Sequence, residues 1–234
     1  MIISVHQAQY LPWLGYFHKI FSSDAFVFLD DVQYKKREYQ NRNRIRAKDR
    51  WIWLTVPVTA DRNPYPVFSD VYVDNSQDWA RSHWKSLYLN YAKAPYFERY
   101  SGFFEGLYRK EWRRLLDLNI EIVSYLNSVL GIEKPVRLSS ELDIKTQKTE
   151  RILDICEALG ADTYLSGGGG RDYLDEEKFR KAGIRLVYQD FEHPVYRQLH
   201  MKDEKDFLAE MSIVDLIFNH GPGSMDILLG GKSG

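Results

Sequence analysis

The chain opens with two short apolar runs, Ile2-Ile3-Ser4-Val5-His6 and Ala25-Phe26-Val27-Phe28-Leu29, separated by a stretch of helical periodicity. Near-continuous apolar runs of four or five residues are the pattern of strands covered on both faces. Between them Trp13, Leu14, Phe17, Ile20 and Phe21 fall at helical spacing, and Pro12 suits a helix start. A strand–helix–strand unit leaves its two strands parallel, so the expected fold is α/β, with a mostly parallel sheet and flanking helices.

Residues 51–58 and 70–73 are expected as strands. From Gln77 to about Leu130 the pattern turns helical, with helices expected at 77–93, 97–109 and 111–130. After Pro135 the alternation returns: a strand at 136–140, a helix at 146–159, a strand at 163–166, a helix at 172–182 and a strand at 184–189. A last helix is expected at about 206–218. This gives one α/β domain over 1–234 with a helical middle segment, an insertion at about 77–131. A chain of 234 residues suffices for one substantial core.

Charge and cysteine content narrow the function classes. Lys+Arg is 32 and Asp+Glu is 33, a net charge of -1, which excludes a globally basic nucleic-acid coat. The one cysteine, Cys156, excludes an intramolecular disulfide and a cysteine-based zinc site, and its helical neighbours make it a buried small hydrophobe. The six histidines show no metal-ligand spacing, so no metal is expected. No apolar stretch reaches membrane-spanning length and no leader precedes the first strand. The expectation is a cytoplasmic protein with no membrane partner.

Three segments carry the chemistry. His6, Gln7 and Gln9 stand where the first strand ends, the usual ligand side of an open parallel sheet, followed by Tyr10, Pro12 and Trp13. The spacing Pro12-x-x-Gly15-Tyr16 resembles the first motif of nucleotidylyltransferases, but Trp13 and Tyr16 occupy the two histidine places. Residues 35–50 hold eight Lys/Arg against Glu38 and Asp49, about +6 in all, flanked by Tyr34, Tyr39, Trp51 and Trp53. Within it Asn41-Arg42-Asn43-Arg44 adds directional hydrogen bonding to charge. Basic residues among aromatics bind phosphates while stacking on bases. On a neutral chain they suit a phosphorylated small molecule or an acidic partner, and nucleic acid is not the expected partner. The third segment, Ser166-Gly167-Gly168-Gly169-Gly170-Arg171-Asp172, follows a strand and precedes a helix, the context of a backbone anion nest. It lacks the Lys-Ser/Thr of a P-loop. The tail Gly230-Gly231-Lys232-Ser233 imitates the end of one but lacks the upstream glycine, and is set aside.

Together these pieces resemble the WbqC-like family. The matching residues are 6–17 around His6-Gln7-Ala8-Gln9-Tyr10-Leu11-Pro12-Trp13, then Phe28-Leu29-Asp30-Asp31-Val32-Gln33-Tyr34-Lys35, Gln40-Asn41-Arg42-Asn43-Arg44-Ile45, Trp53–Val58, Lys93–Phe97, Tyr164–Gly167 with Arg171–Leu174, and Ser212–Asn219. Ala8 stands where proline is expected, and Gly168–Gly170 replaces less flexible residues. The resemblance implies an enzyme of bacterial surface-polysaccharide (O-antigen) synthesis. It would be an N-acyl or aminoacyl transferase, moving a group such as glycyl from a carrier-protein thioester to the amine of a nucleotide-linked amino sugar. The acceptor is then the nucleotide-linked amino sugar, and the donor an acidic carrier protein with its phosphopantetheine arm. On that reading His6 is the general base, oriented by Asp30 or Asp31, with Gln7 or Asn43 polarising the carbonyl. Arg42, Arg44 and Arg171 take phosphates. Gln9, Tyr10, Trp13, Tyr34, Lys35, Asn41, Ser166, Gly167 and Asp172 complete the binding surface. The competing readings are an ATP-dependent ligase or nucleotidylyltransferase, from the Pro12–Tyr16 motif, and a non-catalytic RNA- or sugar-binding module, from residues 34–53.

Overall fold

A computed structural model describes residues 1–59 and 65–230; Gly231, Lys232 and Ser233 of the tail motif lie outside it. In chain order the elements are β1 (Ile2–His6), α1 (Leu14–Phe21), β2 (Ala25–Phe28), β3 (Arg42–Arg46), β4 (Trp51–Thr55), α2 (Trp79–Tyr91), α3 (Phe97–Arg109) and α4 (Leu115–Val129). Then follow β5 (Val136–Leu138), α5 (Lys148–Ala158), β6 (Thr163–Ser166), α6 (Glu176–Lys181), β7 (Arg185–Tyr188), α7 (Ile213–His220) and α8 (Ser224–Leu228). Five strands form one parallel sheet in the order β5-β2-β1-β6-β7. The opening strand–helix–strand unit is present, with Ser4 paired to Phe26 and His6 to Phe28.

Strand alternation sends side chains to two cores. Ile3, Val5, Val27 and Tyr164 pack against Ile152, Ile155 and Cys156 of α5 and Phe179 of α6. Phe26 and Phe28 face the other way, onto Tyr16, Phe17 and Ile20 of α1, and that larger core continues through β3, β4, α2–α4 and α7. Cys156 is fully buried, and burial pushes its thiol up to about 12, so it stays a protonated apolar group at neutral pH.

Several element boundaries differ from the sequence expectation. The strand over 51–58 ends at Thr55, and it joins Arg42–Arg46 in a separate antiparallel hairpin rather than entering the sheet. Phe68–Asp70 is a 3-10 turn, and Tyr72 and Val73 make only single bridges, to Arg114 and Val58. The helix expected from 172 starts at Glu176, because the Asp175 side chain accepts the Lys178 N–H and caps it there. The last long helix starts at Ile213 for the same reason: the Ser212 hydroxyl accepts the Val214 N–H. Among the described residues no helix is long and apolar enough to cross a membrane, and no group of three His, Cys, Asp or Glu could hold a metal ion.

Candidate functional site

The strand order fixes where the sheet opens. From β1 the chain runs outward through β2 to β5, then returns to β6 on the other side of β1 and runs out to β7. Connections diverge at such a reversal and leave a crevice beyond the carboxyl ends of the two strands. A cleft of about 340 Å³ lies there, lined by residues of both ends, among them His6, Trp13, Lys19, Gly167, Gly168 and Gln189. Ser4, Phe26 and Phe28 lie on the α1 side of the sheet. Carrying the β1–β6 register on by three residues and the β6–β7 register by one puts Phe28, His6, Gly167 and Gln189 in a single row on that side. Gln189 closes the row by donating to the Gly15 carbonyl (2.8 Å) and bonding His18 Nδ1 (2.9 Å).

Two nitrogen bases share this cleft. Lys19, on α1, is only 4% exposed, and its Nζ has no hydrogen bond or ion pair among the described residues. Its stem lies toward Phe26, with Nζ 5.9 Å from the ring centroid. Burial with no counter-charge lowers this ammonium from 10.5 to about 7. His6 meets Tyr16 edge-on, ring centroids 5.3 Å apart, and its buried Nδ1 has no partner among the described residues. Burial first, and the nearby Lys19 charge second, push the imidazole well below 6.5. At neutral pH His6 is therefore a neutral base, and Lys19 is divided between its two forms. Sequence reasoning missed Lys19. A signal was present: on a helix Lys19 shares a face with Gly15 and Tyr16, and a lysine on that inward face cannot extend to the open surface.

The glycine-rich turn takes a different form from a nest. None of Gly167–Gly170 has positive φ; Gly168–Asp172 is a 3-10 helix, so the alternating handedness of a nest is missing. Gly170 is required sterically, since a Cβ there would run into Ser166 Oγ and press on Leu174. Gly168 and Gly169 face open space, where a Cβ would meet nothing within 4 Å. As the first residues of a 3-10 helix they have no intrahelical acceptor for their N–H groups. Ser166 itself is buried, its hydroxyl donating to the Gly167 carbonyl.

Many of the remaining candidates anchor the loop after β1. Asn43 Nδ2 donates to the Leu11 carbonyl (2.7 Å), and its Oδ1 accepts the Arg44 N–H (2.8 Å), so its amide is already engaged. Leu11 needs such a hold: its φ is 44°, unusual for a bulky residue. Asn119 of α4 donates to the Ala8 and Gln40 carbonyls. Tyr10 is fully buried, with its hydroxyl bonded to His83 Nδ1 and the Tyr108 hydroxyl, and it does not line this cleft. Gln7 accepts from Gln40 Nε2 and donates to the Gln33 carbonyl. Asn41 donates to the Val56 carbonyl. Gln9 and Tyr34 are buried, Gln9 Oε1 and the Tyr34 hydroxyl without partners among the described residues. Lys35 is exposed, and its N–H donates to Gln40 Oε1.

Asp30 and Asp31 do not orient His6. Asp30 accepts from both Ser139 and Ser140 hydroxyls and from the Ser140 N–H. Asp31 accepts from Ser139 and forms an ion pair with Arg151. These bonds tie the end of β2 to the segment after β5. The basic segment is likewise sorted by the hairpin. Register places Arg44 opposite Trp53 and Arg46 opposite Trp51. Arg42 lies over the Trp53 ring (4.3 Å) and donates to the Arg37 carbonyl; Arg44 lies over Trp51 (5.2 Å) and pairs with Glu210 (2.6 Å). Arg171 stacks on Tyr188 (4.0 Å), and Asp172 is exposed beside it. Of the residues expected to act together, the cleft gathers His6, Trp13 and Gly167, and adds Lys19.

Comparison with known proteins gives a family match and a relative. The model of the WbqC-like protein family covers residues 7–227. Uncharacterized protein Rv1507c of Mycobacterium tuberculosis (strain ATCC 25618 / H37Rv) is 34% identical over 228 residues, 97% of this chain and 96% of that protein. No solved structure matches the chain significantly.

Proposed function

Because the chain belongs to the WbqC-like family, we propose that it is an N-acyl or aminoacyl transferase acting on the amine of a nucleotide-linked amino sugar, in bacterial surface-polysaccharide synthesis. The observation that carries this reading is the neutral His6 imidazole, with Nδ1 unpartnered, in the cleft at the sheet's reversal point. An acceptor sugar arrives as an ammonium ion. His6 takes its proton; the free amine attacks the thioester carbonyl carbon; the C–N bond forms, the C–S bond breaks, and the second proton lost from nitrogen ends on the departing sulfur, giving the amide and a thiol. Neither Gln7 nor Asn43 is assigned the carbonyl, since both amides are already held by loop contacts. Lys35, Arg37, Lys48 and Arg50 are exposed around the hairpin, a surface that suits an acidic carrier protein presenting its phosphopantetheine arm.

The test is to incubate the protein with an amino nucleotide sugar and an aminoacylated carrier protein and to look for the amide by mass. His6→Gln should slow product formation by roughly 10²-fold or more, the usual worth of a positioned base. Turnover unchanged in His6→Gln removes His6 from the reaction, and no product with any amino sugar removes the transfer reading.

A further inference from the structure

We propose that the cleft between β1 and β6 binds a phosphate or diphosphate group, with the Lys19 ammonium as its counter-ion and the Gly168 and Gly169 N–H groups as donors. A charge buried to 4% exposure without a partner is a standing cost, unless something else supplies the opposite sign. Among the described residues the protein supplies none. The titratable residues that line the cleft with Lys19 are His6 on β1 and Tyr16 on its own helix, and the segments that contribute to the lining also carry His18, Arg171, Asp172, Asp190 and His193. β2 presents the Phe26 ring there. No carboxylate among them pairs with Lys19, and desolvation is the cause of its lowered proton affinity.

The geometry suits an anion. A Cβ on Gly167 would stand 3.8 Å from Lys19 Nζ, so the ammonium faces the start of the glycine turn directly. The two N–H groups that lack intrahelical acceptors follow at once, on residues whose missing side chains leave the approach open. Arg42 and Arg44, expected to hold phosphates, already lie over tryptophan rings on the hairpin. A phosphate on Lys19 would also cancel the charge that disfavours protonation of His6, and so strengthen the base in the loaded site.

Assigning this group to a substrate rests on the transferase reading; anion binding itself does not require transfer. Two sources share the chemistry, the diphosphate of a nucleotide sugar and the phosphate of phosphopantetheine. Binding should be measured by calorimetry with a uridine diphosphate sugar, with phosphopantetheine, and with sulfate, which does not titrate near neutrality. Only protonated Lys19 binds the anion. Raising the pH from 7 to 9 should therefore weaken uridine diphosphate sugar and sulfate binding about 50-fold, the loss of protonated fraction for a group near 7. His6 and His18 are neutral across that window. Near pH 8 binding should take up close to one proton. Lys19→Met should abolish both binding and proton uptake, and Lys19→Arg should bind without pH dependence. The tighter of the two organic ligands identifies the source. Wild-type affinity that is flat from pH 7 to 9, or binding unchanged in Lys19→Met, overturns the inference even if amide is still formed. Binding as described with no amide product leaves the site standing and removes the transfer reading.

Discussion

Lys19→Met is expected to stabilise the protein below pH 7, although it removes the proposed anion site. The sign follows from linkage. The folded-state ammonium titrates near 7 and the unfolded one near 10.5. Below pH 7 both states carry the proton, and the folded state bears the full cost of burying it. Between 7 and 10.5 the folded state sheds the proton first, so wild-type stability rises with pH over that window. The difference in proton affinity corresponds to about 5 kcal/mol at pH 6, shrinking to about 1 kcal/mol near pH 10. Methionine keeps the length of the stem toward Phe26 and brings no charge. Urea unfolding of both proteins at pH 6 and pH 10 checks this. A variant no more stable than wild type at pH 6 would mean that the ammonium has a stabilising partner. A lysine that destabilises its own fold is the kind of residue retained for function.

Asp215→Ala should produce the opposite change, a loss of about 3–5 kcal/mol at neutral pH, because it strands a buried network. Asp215 is fully buried on α7. Its carboxylate accepts from the Tyr91 hydroxyl (2.8 Å), the Tyr196 hydroxyl (2.9 Å) and Gln198 Nε2 (2.8 Å). Gln198 Oε1 in turn accepts from Arg46 Nη1 (2.8 Å) and the Leu208 N–H (3.0 Å), and the Arg46 N–H donates to the Tyr91 hydroxyl (2.9 Å). The network ties the hairpin to α2 and to the chain from 196 to 220. Burial raises the Asp215 carboxyl above the usual range, although the hydrogen bonds oppose that shift. Alanine leaves three buried donors without their acceptor and removes the carboxylate charge that the Arg46 guanidinium acts on. Asp215→Asn keeps an acceptor and should lose less. Urea unfolding with an unchanged slope is the readout, and a loss below about 1 kcal/mol would contradict the account.

The sheet was legible in the sequence because its strands are short apolar runs, which only a doubly covered sheet accommodates; Ile2–His6 and Thr163–Ser166 fall where the pattern puts them. The hairpin was half legible. Trp51–Thr55 read as a strand, but Arg42–Arg46 read as charge, since its arginines stack on tryptophans that only the folded register brings across. The site was legible as a place more than as a set of roles. His6 and Gly167 stand at strand ends, and position alone finds them. Tyr10, Asn41 and Asn43 look equally functional in sequence because a buried anchor and a ligand contact use the same side-chain chemistry; only their partners, Leu11, Val56, His83 and Tyr108, tell them apart. Lys19 went unread because an unpaired buried charge is a property of its surroundings.

We place the ligand chemistry at the β1–β6 reversal and not on the arginine–tryptophan hairpin, where Trp51 is 41% exposed and a binding module would hold its ligand. Amide chemical-shift mapping with a uridine diphosphate amino sugar separates the two. The largest shifts should fall on His6, Gly15, Lys19, Gly167–Gly169 and Gln189, with residues 42–55 nearly unmoved. Shifts confined to residues 42–55, with the cleft silent, would contradict that placement.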